Sequence, residues 1–271
     1  MNAVASWGGG ASYPDAMLQQ WLGRDIRAMS LEEYVFWAGL VQGEGLREYC
    51  DNFRRRAFSS AAAIFWMYND TWPAVRSWTI VDYYNRRTPA FWPVRRALAP
   101  LSVVVAQQGD DVTVWGINET SETVRGELRY GVFHLAGDYP LEHAQSVELP
   151  PRNSTPLASF PMSDWRRHDA DGTTSAAFAT LERGGELLAR NRLLLPFWKE
   201  MQWPEAAVQV RVENGRAVFR SETFAWGVCL DLDGETALPD NFFDLFPGRE
   251  YSLPWSAVAP PQVLRVGNLV C

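Results

Sequence analysis

The pattern of apolar and polar positions changes character near residue 100. Before that point apolar residues recur mostly at helical spacing. Asp15 to Trp21 predicts a short helix. Ser30-Leu31-Glu32-Glu33 reads as a capping box, with Ser30 as N-cap and Glu33 at N3. Tyr34, Val35, Trp37, Ala38, Val41, Leu46 and Tyr49 then follow a helical period, which predicts a helix reaching Arg55 or Arg56. Ala61-Ala62-Ala63-Ile64-Phe65-Trp66-Met67-Tyr68 is an unbroken apolar run that ends in Asn69-Asp70-Thr71-Trp72-Pro73. Such a run between turn-formers suits a strand buried on both faces, here Ala62 to Tyr68. A short strand is predicted over Trp78 to Asp82. Pro89 suits the first turn of a further helix, which runs to Leu98 before Pro100 stops it.

After residue 100 the grammar is all β. Strands are predicted at Leu101–Ala106, Val112–Asn118, Thr123–Phe133, Ala144–Leu149, Ser175–Glu182 and Glu186–Leu194, with turn clusters such as Gly109-Asp110-Asp111 between them. Short strands with regular turns predict a β-sandwich. The Val112–Asn118 strand is apolar on both faces. A second sandwich is expected from Ala206, with strands at Ala207–Glu213, Ala217–Ser221, Trp226–Asp231, Arg249–Leu253 and Gln262–Leu269. Asn214-Gly215 is a strong hairpin signal between the first two. Pro196 to Pro204 reads as the connection.

The first hundred residues therefore read as helix, strand, loop, helix, the grammar of βα units and a parallel sheet. One or two such units cannot close an eight-stranded barrel, which takes about 250 residues. The chain has 271 residues in all.

Composition narrows the function. A net charge of −7 argues against nucleic acid, which requires a basic surface. The short clusters Arg54-Arg55-Arg56 and Arg95-Arg96 read as solvated helix faces or partners of local carboxylates. No apolar run is long enough to span a membrane, and the N-terminus has no leader pattern. Cys50, Cys229 and Cys271 are scattered, which predicts free thiols and favours a reducing, cytoplasmic setting. His134, His143 and His168 lack ligand spacing, and no metal or cofactor is expected. Thirteen tryptophans are unusual, and several lie near prolines and acids, as at a sugar-binding or interface surface. Packing in a β-rich core is the plain alternative.

The candidate chemistry lies at the end of the apolar run. Parallel α/β folds present working residues at the C-terminal ends of strands. Here that end carries Trp66, Asn69, Asp70 and Trp72. Indole faces stack on the C–H faces of sugars, while amide and carboxylate groups bond their hydroxyls. The plain alternative is a buried strand with a polar turn, in which Asp70 fixes the loop by bonding backbone N–H groups.

Several separated motifs resemble the C-terminal part of β-mannosidase-like enzymes of glycoside hydrolase family 2. They are Gln42-Gly43-Glu44-Gly45-Leu46 with Phe53-Arg54-Arg55-Arg56, then Phe65 to Pro73, Ser77 to Arg86, Phe91 to Pro100, and Leu238 to Gly248. The resemblance covers nearly the whole chain in family order. It implies a fold that is α/β plus all-β: the terminal βα units of a TIM (β/α)8 barrel in residues 1–100, then immunoglobulin-like β-sandwiches at 101–196 and 205–271. It implies a retaining hydrolase of terminal β-mannosides in the complete enzyme, with two carboxyl groups about 5 Å apart. It makes Trp66 the platform under the terminal sugar, with Asn69, Asp70 and Trp72 shaping the pocket.

The chain departs from the family at the catalytic carboxylates. Ser6 stands where the nucleophilic Glu is expected, and no Asp or Glu precedes Asp15. Glu44 reads as a helix-surface or packing residue. Asp70 alone cannot be both nucleophile and acid. Asp240-Asn241-Phe242-Phe243-Asp244 offers oxygens but lacks the glycine and bidentate Glu of a calcium loop, so a tight turn with a phenylalanine in the core is expected. Three readings follow: an inactive portion of a glycosidase, a carbohydrate-binding or interaction module using exposed Trp165, Trp198 or Trp203, and a subunit completed by a chain that supplies the rest of the barrel.

Overall fold

The structure, a computed structural model, describes residues 13–57, 59–60, 62–74 and 78–269. Ser6, the position matched to the nucleophile, and Cys271 lie outside the described residues. The chain begins with α1 (Tyr13–Leu22) and α2 (Leu31–Arg54). The capping box forms as predicted: Glu33 N donates to Ser30 Oγ at 3.2 Å, and Ser30 N donates to Glu33 Oε2 at 2.8 Å. α3 (Phe91–Ala97) lies against α2 at two glycines. A Cβ at Gly39 would sit 2.6 Å from the Pro89 ring, and one at Gly43 would sit 3.1 Å from Ala90 Cα. Only glycine permits that approach.

The strand expected over Ala62 to Tyr68 does not form. No described residue pairs with the 62–67 backbone, and the expected strand at Trp78–Asp82 is reduced to bridges from Val81 to Asn69 and to Arg87. The physical reason is that a strand is a pairing rather than a local propensity. A run apolar on both faces needs neighbours on both sides, and the described residues supply none.

Beyond α3 the chain builds β1 (Leu101–Gln108), β2 (Asp111–Asn118), β3 (Val124–His134), β4 (Leu141–Leu149), β5 (Asn153–Pro161), α4 (Met162–His168), β6 (Ser175–Arg183) and β7 (Glu186–Leu193). The strands form two antiparallel sheets, ordered β1-β2-β5 and β4-β3-β6-β7. Val103, Val105, Val112 and Val114 of one sheet meet Leu128, Val132, Ala177 and Leu181 of the other in a single core. Trp165 of α4 closes that core, its Nε1 donating to Ser175 Oγ at 2.7 Å. This is a sandwich of the immunoglobulin-like kind. β5, absent from the sequence reading, contains Pro156. It pairs only with β2, and an edge strand tolerates a missing N–H.

β6 is buried on both faces because the four-stranded sheet carries a second core on its outside. There Phe133, Ala176 and Phe178 pack with Leu18 and Leu22 of α1, Phe36, Trp37 and Leu40 of α2, and Trp198, Trp203, Phe224 and Trp226. Trp203 stacks on Trp226 at 5.1 Å and donates its Nε1 to Trp198 O at 2.6 Å. Trp165, Trp198 and Trp203 are thus 0, 8 and 8% exposed, which corrects their assignment as a binding surface.

The remaining strands are β8 (Gln209–Glu213), β9 (Arg216–Arg220), β10 (Ala225–Val228), β11 (Phe243–Leu245) and β12 (Tyr251–Pro254). They form a sheet β12-β9-β8 and a pair β10-β11 over a third core that contains Phe219, Val228, Phe243 and Leu253. Asn214 and Gly215 take φ of 49° and 72°, the two left-handed positions of the predicted hairpin turn. The strand expected at Gln262–Leu269 is a single bridge, Cys229 to Arg265.

Candidate functional site

The connection between α2 and α3 carries the residues singled out from the sequence. Tyr68 O accepts from Ile80 N at 3.2 Å and from Val81 N at 2.9 Å, and Asn69 bridges Val81 in parallel. This pairing lays the segment around residues 64–72 along the segment at 78–82. Asp70 is 9% exposed, and its Oδ2 accepts from Thr79 Oγ1 at 2.8 Å. Asn69 Nδ2 donates to Asp70 O at 3.3 Å. Asn69 and Asp70 sit in the pinned turn, and this bond to Asp70 comes from the Thr79 hydroxyl rather than from the backbone N–H groups expected of a loop-fixing carboxylate. Trp66 and Trp72, 74 and 67% exposed, face outward on either side of that turn.

The neighbouring aromatics, named in the Phe65–Pro73 and Ser77–Arg86 motifs but not as site residues, share this exposure. Tyr68, Trp78, Tyr83 and Tyr84 are also exposed, so the connection presents several rings to solvent. The turn at 82–86 is tightly made. Asp82 Oδ1 accepts from Tyr84 N and Arg86 N at 2.9 and 2.8 Å, Asp82 Oδ2 pairs with Arg86 Nε at 2.7 Å, and Asn85 supplies a φ of 63°. Tyr83 and Tyr84 meet edge to face at 5.3 Å, with the Arg86 guanidinium 5.1 Å from the Tyr84 ring. The available signal was the density of aromatics in the Trp78-to-Arg86 motif.

Asp70 and Asp82 are the acids of the connection from residue 62 to residue 90. Both hold loop structure, Asp70 through Thr79 and Asp82 through Arg86 and two amides. What the arrangement offers chemically is aromatic surface with pinned polar groups, suited to binding a ring with alternating C–H and hydroxyl surfaces.

Of the two readings of Glu44, helix-surface or packing, the structure shows packing. The side chain is buried, and its Oε1 accepts from Arg192 Nη2 at 2.6 Å and from Trp226 Nε1 at 3.0 Å. Its Oε2 pairs with Arg47 at 3.1 Å. Arg192 Nε continues to Asp244 Oδ2 at 2.9 Å, and Arg47 Nη1 to Asp51 Oδ2 at 3.0 Å. Burial pushes the Glu44 carboxyl up, but the guanidiniums of Arg192 and Arg47 outweigh it and hold the group down at about 2. Asp51 lies the other way, raised by burial despite Arg47.

The arginine clusters are likewise structural. Arg54 is buried and donates to Ala97 O and to Ser102 Oγ, tying α2 to the start of β1. Arg96 pairs with Asp240 at 2.6 Å and donates to Phe242 O at 2.6 Å. The second oxygen of Asp240 accepts from Tyr251 Oη at 2.7 Å. Phe242 and Phe243 are buried, Phe242 at a φ of 50°, so the Asp240–Asp244 motif is the tight turn with a phenylalanine anchor that was expected.

The profile of the family described as Mannosidase Ig/CBM-like domain matches residues 110–200. A β-mannosidase B of Aspergillus niger is 24% identical over 263 residues, covering 88% of this chain and 31% of its own length. A β-mannosidase B of Aspergillus flavus is 38% identical over 90 residues, which is 32% of this chain and 10% of the relative. Among solved structures, the β-D-mannosidase of Dictyoglomus thermophilum is 25% identical with a TM-score of 0.75, covering 86% of this chain and 28% of that one. An exo-chitosanase of Amycolatopsis orientalis, 20% identical with a TM-score of 0.61, covers 88% of this chain and 33% of its own and shares the fold. The chain spans about a third or less of the length of the curated relatives it matches.

Proposed function

We propose, from a chain similar to the C-terminal part of β-mannosidase-like proteins of glycoside hydrolase family 2, that it serves a retaining hydrolase of terminal β-mannosides. Residues 1–100 are then a portion of the (β/α)8 barrel, with sandwich domains at 101–196 and 205–271. Trp66 forms the platform for the terminal sugar, and Asn69, Asp70 and Trp72 shape the pocket around it. The observation that carries this reading is the likeness to the Dictyoglomus thermophilum β-D-mannosidase, which covers 86% of this chain. By itself the chain has no glycosidase activity, because Asp70 and Asp82 are committed to loop structure and Ser6 occupies the matched nucleophile position. The test is incubation of the isolated chain with an aryl β-mannoside, together with titration by a β-1,4-mannooligosaccharide. Saturable binding without turnover is expected. Turnover at enzyme-like rates overturns the inactivity, and failure to bind overturns the sugar wall.

A second reading, a subunit completed by another chain, is favoured by one observation. The run at 62–67 has an extended apolar sequence and no backbone pairing among the described residues, and such an edge is a template for a partner strand. Addition of a polypeptide matching the remaining part of the relatives should then restore activity. Failure of the two chains to associate sinks this reading.

A further inference from the structure

α2 presents two faces to two different parts of the molecule. On a helix, residues seven apart fall nearly on one line, and residues two apart fall about 200° around. Glu44 and Asp51 make one such line. It is turned toward β7, where Glu44 meets Arg192 and Asp51 accepts from Asn191 Nδ2 at 2.9 Å. Gln42 and Tyr49 make the other line, and both donate to main-chain oxygens of the aromatic connection. Gln42 Nε2 donates to Trp78 O at 2.9 Å, and Tyr49 Oη donates to Ile64 O at 3.2 Å.

The two acceptors sit where they matter for the exposed rings. Ile64 is two residues before Trp66. Trp78 directly precedes Thr79, which holds Asp70. The bond from Tyr49 is the one hydrogen bond made by the 62–67 backbone among the described residues. Tyr49 is itself set by Phe53, one helical turn on, at 4.8 Å between ring centroids. Glu44 and Asp51, clamped to β7 on the opposite side, keep the helix from rolling and give both donors a fixed base.

We propose that Gln42 and Tyr49 are positioning residues for the carbohydrate wall: they hold the 64–72 segment in register with 78–82 and so set how Trp66 and Trp72 are presented to a sugar. This rests on the reading of that segment as a sugar wall. Neither residue need touch the ligand.

The test uses Gln42→Met and Tyr49→Phe, singly and combined, in the full chain. Each keeps the bulk of the side chain, Gln42→Met removing the amide and Tyr49→Phe only the hydroxyl. The first readout is native-state hydrogen exchange at Ile80 and Val81, whose amides both donate to Tyr68 O. In the combined variant these amides should exchange about thirtyfold faster, the size expected for losing two ordinary hydrogen bonds. The β3 and β6 amides and the melting temperature should not move, whereas a role in global stability would move all of them together. Unchanged exchange at Ile80 and Val81 overturns the proposal. The second readout is tryptophan fluorescence titration with β-1,4-mannotetraose, expected about tenfold weaker in the combined variant. Faster local exchange with unchanged sugar affinity also overturns it. If the unsubstituted chain does not bind the tetrasaccharide, the sugar-wall reading fails, and the exchange result alone decides whether these two residues position the segment.

Discussion

Replacing Glu44 by Gln removes one charge from the centre of the molecule and little else. The carboxylate sits between Arg192 at 2.6 Å, Arg47 at 3.1 Å and Trp226 Nε1 at 3.0 Å, with both Glu44 and Arg192 buried. Its pKa is held at about 2 against an ordinary 4.5. At about 1.36 kcal/mol per pKa unit, that difference makes the ionised form worth about 3 kcal/mol to the folded state. The cost of breaking a buried ion pair by removing one partner, about 3–5 kcal/mol, agrees. The sign follows from the direction. A carboxyl depressed on folding contributes its full stability above 4.5, and loses it as pH falls toward about 2. Near neutral pH, Glu44→Gln should therefore lower the melting temperature by about 6–12 °C. The gap between variant and parent should close as pH falls through that window. Asp51, whose shift has the opposite direction, is raised by burial and in part by the Glu44 charge, so removing that charge eases Asp51 as well and the gap reads the pair. Thermal unfolding followed by circular dichroism across the acid range measures it. Equal melting near neutrality, or a gap that does not change with acid, would refute the electrostatic account of this junction.

Other outcomes are as specific. Gly43→Ala should cost about 1–3 kcal/mol in denaturant unfolding, because the new methyl would meet Ala90 Cα at 3.1 Å. Gly45→Ala, with nothing within 4 Å, should instead stabilise the same helix by about 0.5–1 kcal/mol. Trp66→Ala should leave stability within about 0.5 kcal/mol, since the indole is 74% exposed, while abolishing mannooligosaccharide binding in a calorimetric titration. Phe133→Ala, at a fully buried site where four aromatic rings converge, should cost about 3–5 kcal/mol in the same unfolding assay.

Much of the candidate site was legible in the sequence, but only as position along the chain. Trp66 and Trp72 announced an aromatic surface because an apolar run broke into a polar, indole-rich turn, and both are exposed. Asp70 was weighed as both a pocket residue and a loop-fixing residue, and its bond to Thr79 is a contact nine residues away that only pairing of the two segments creates. Glu44 reads from the sequence as a helix-surface or packing residue, and only the tertiary structure selects the second. Helical spacing fixes which residues share a face, but it does not reveal that Arg192, 148 residues on, will bury that face. The same limit caught Trp165, Trp198 and Trp203, since proximity to prolines and acids says nothing about what packs above a ring.

The sequence by itself determined the elements whose energetics are local. The Ser30–Glu33 capping box, the extent of α2 and the Asn214-Gly215 turn depend on neighbours within a few residues, so the pattern carries them. Tertiary structure decided everything that depends on a partner far along the chain. It gave 62–67 no ladder among the described residues, because a doubly apolar strand forms only between two others. It also joined the helices and the β lobes into one core around Trp226, where aromatic packing and a buried ion-pair network require residues that meet only after folding.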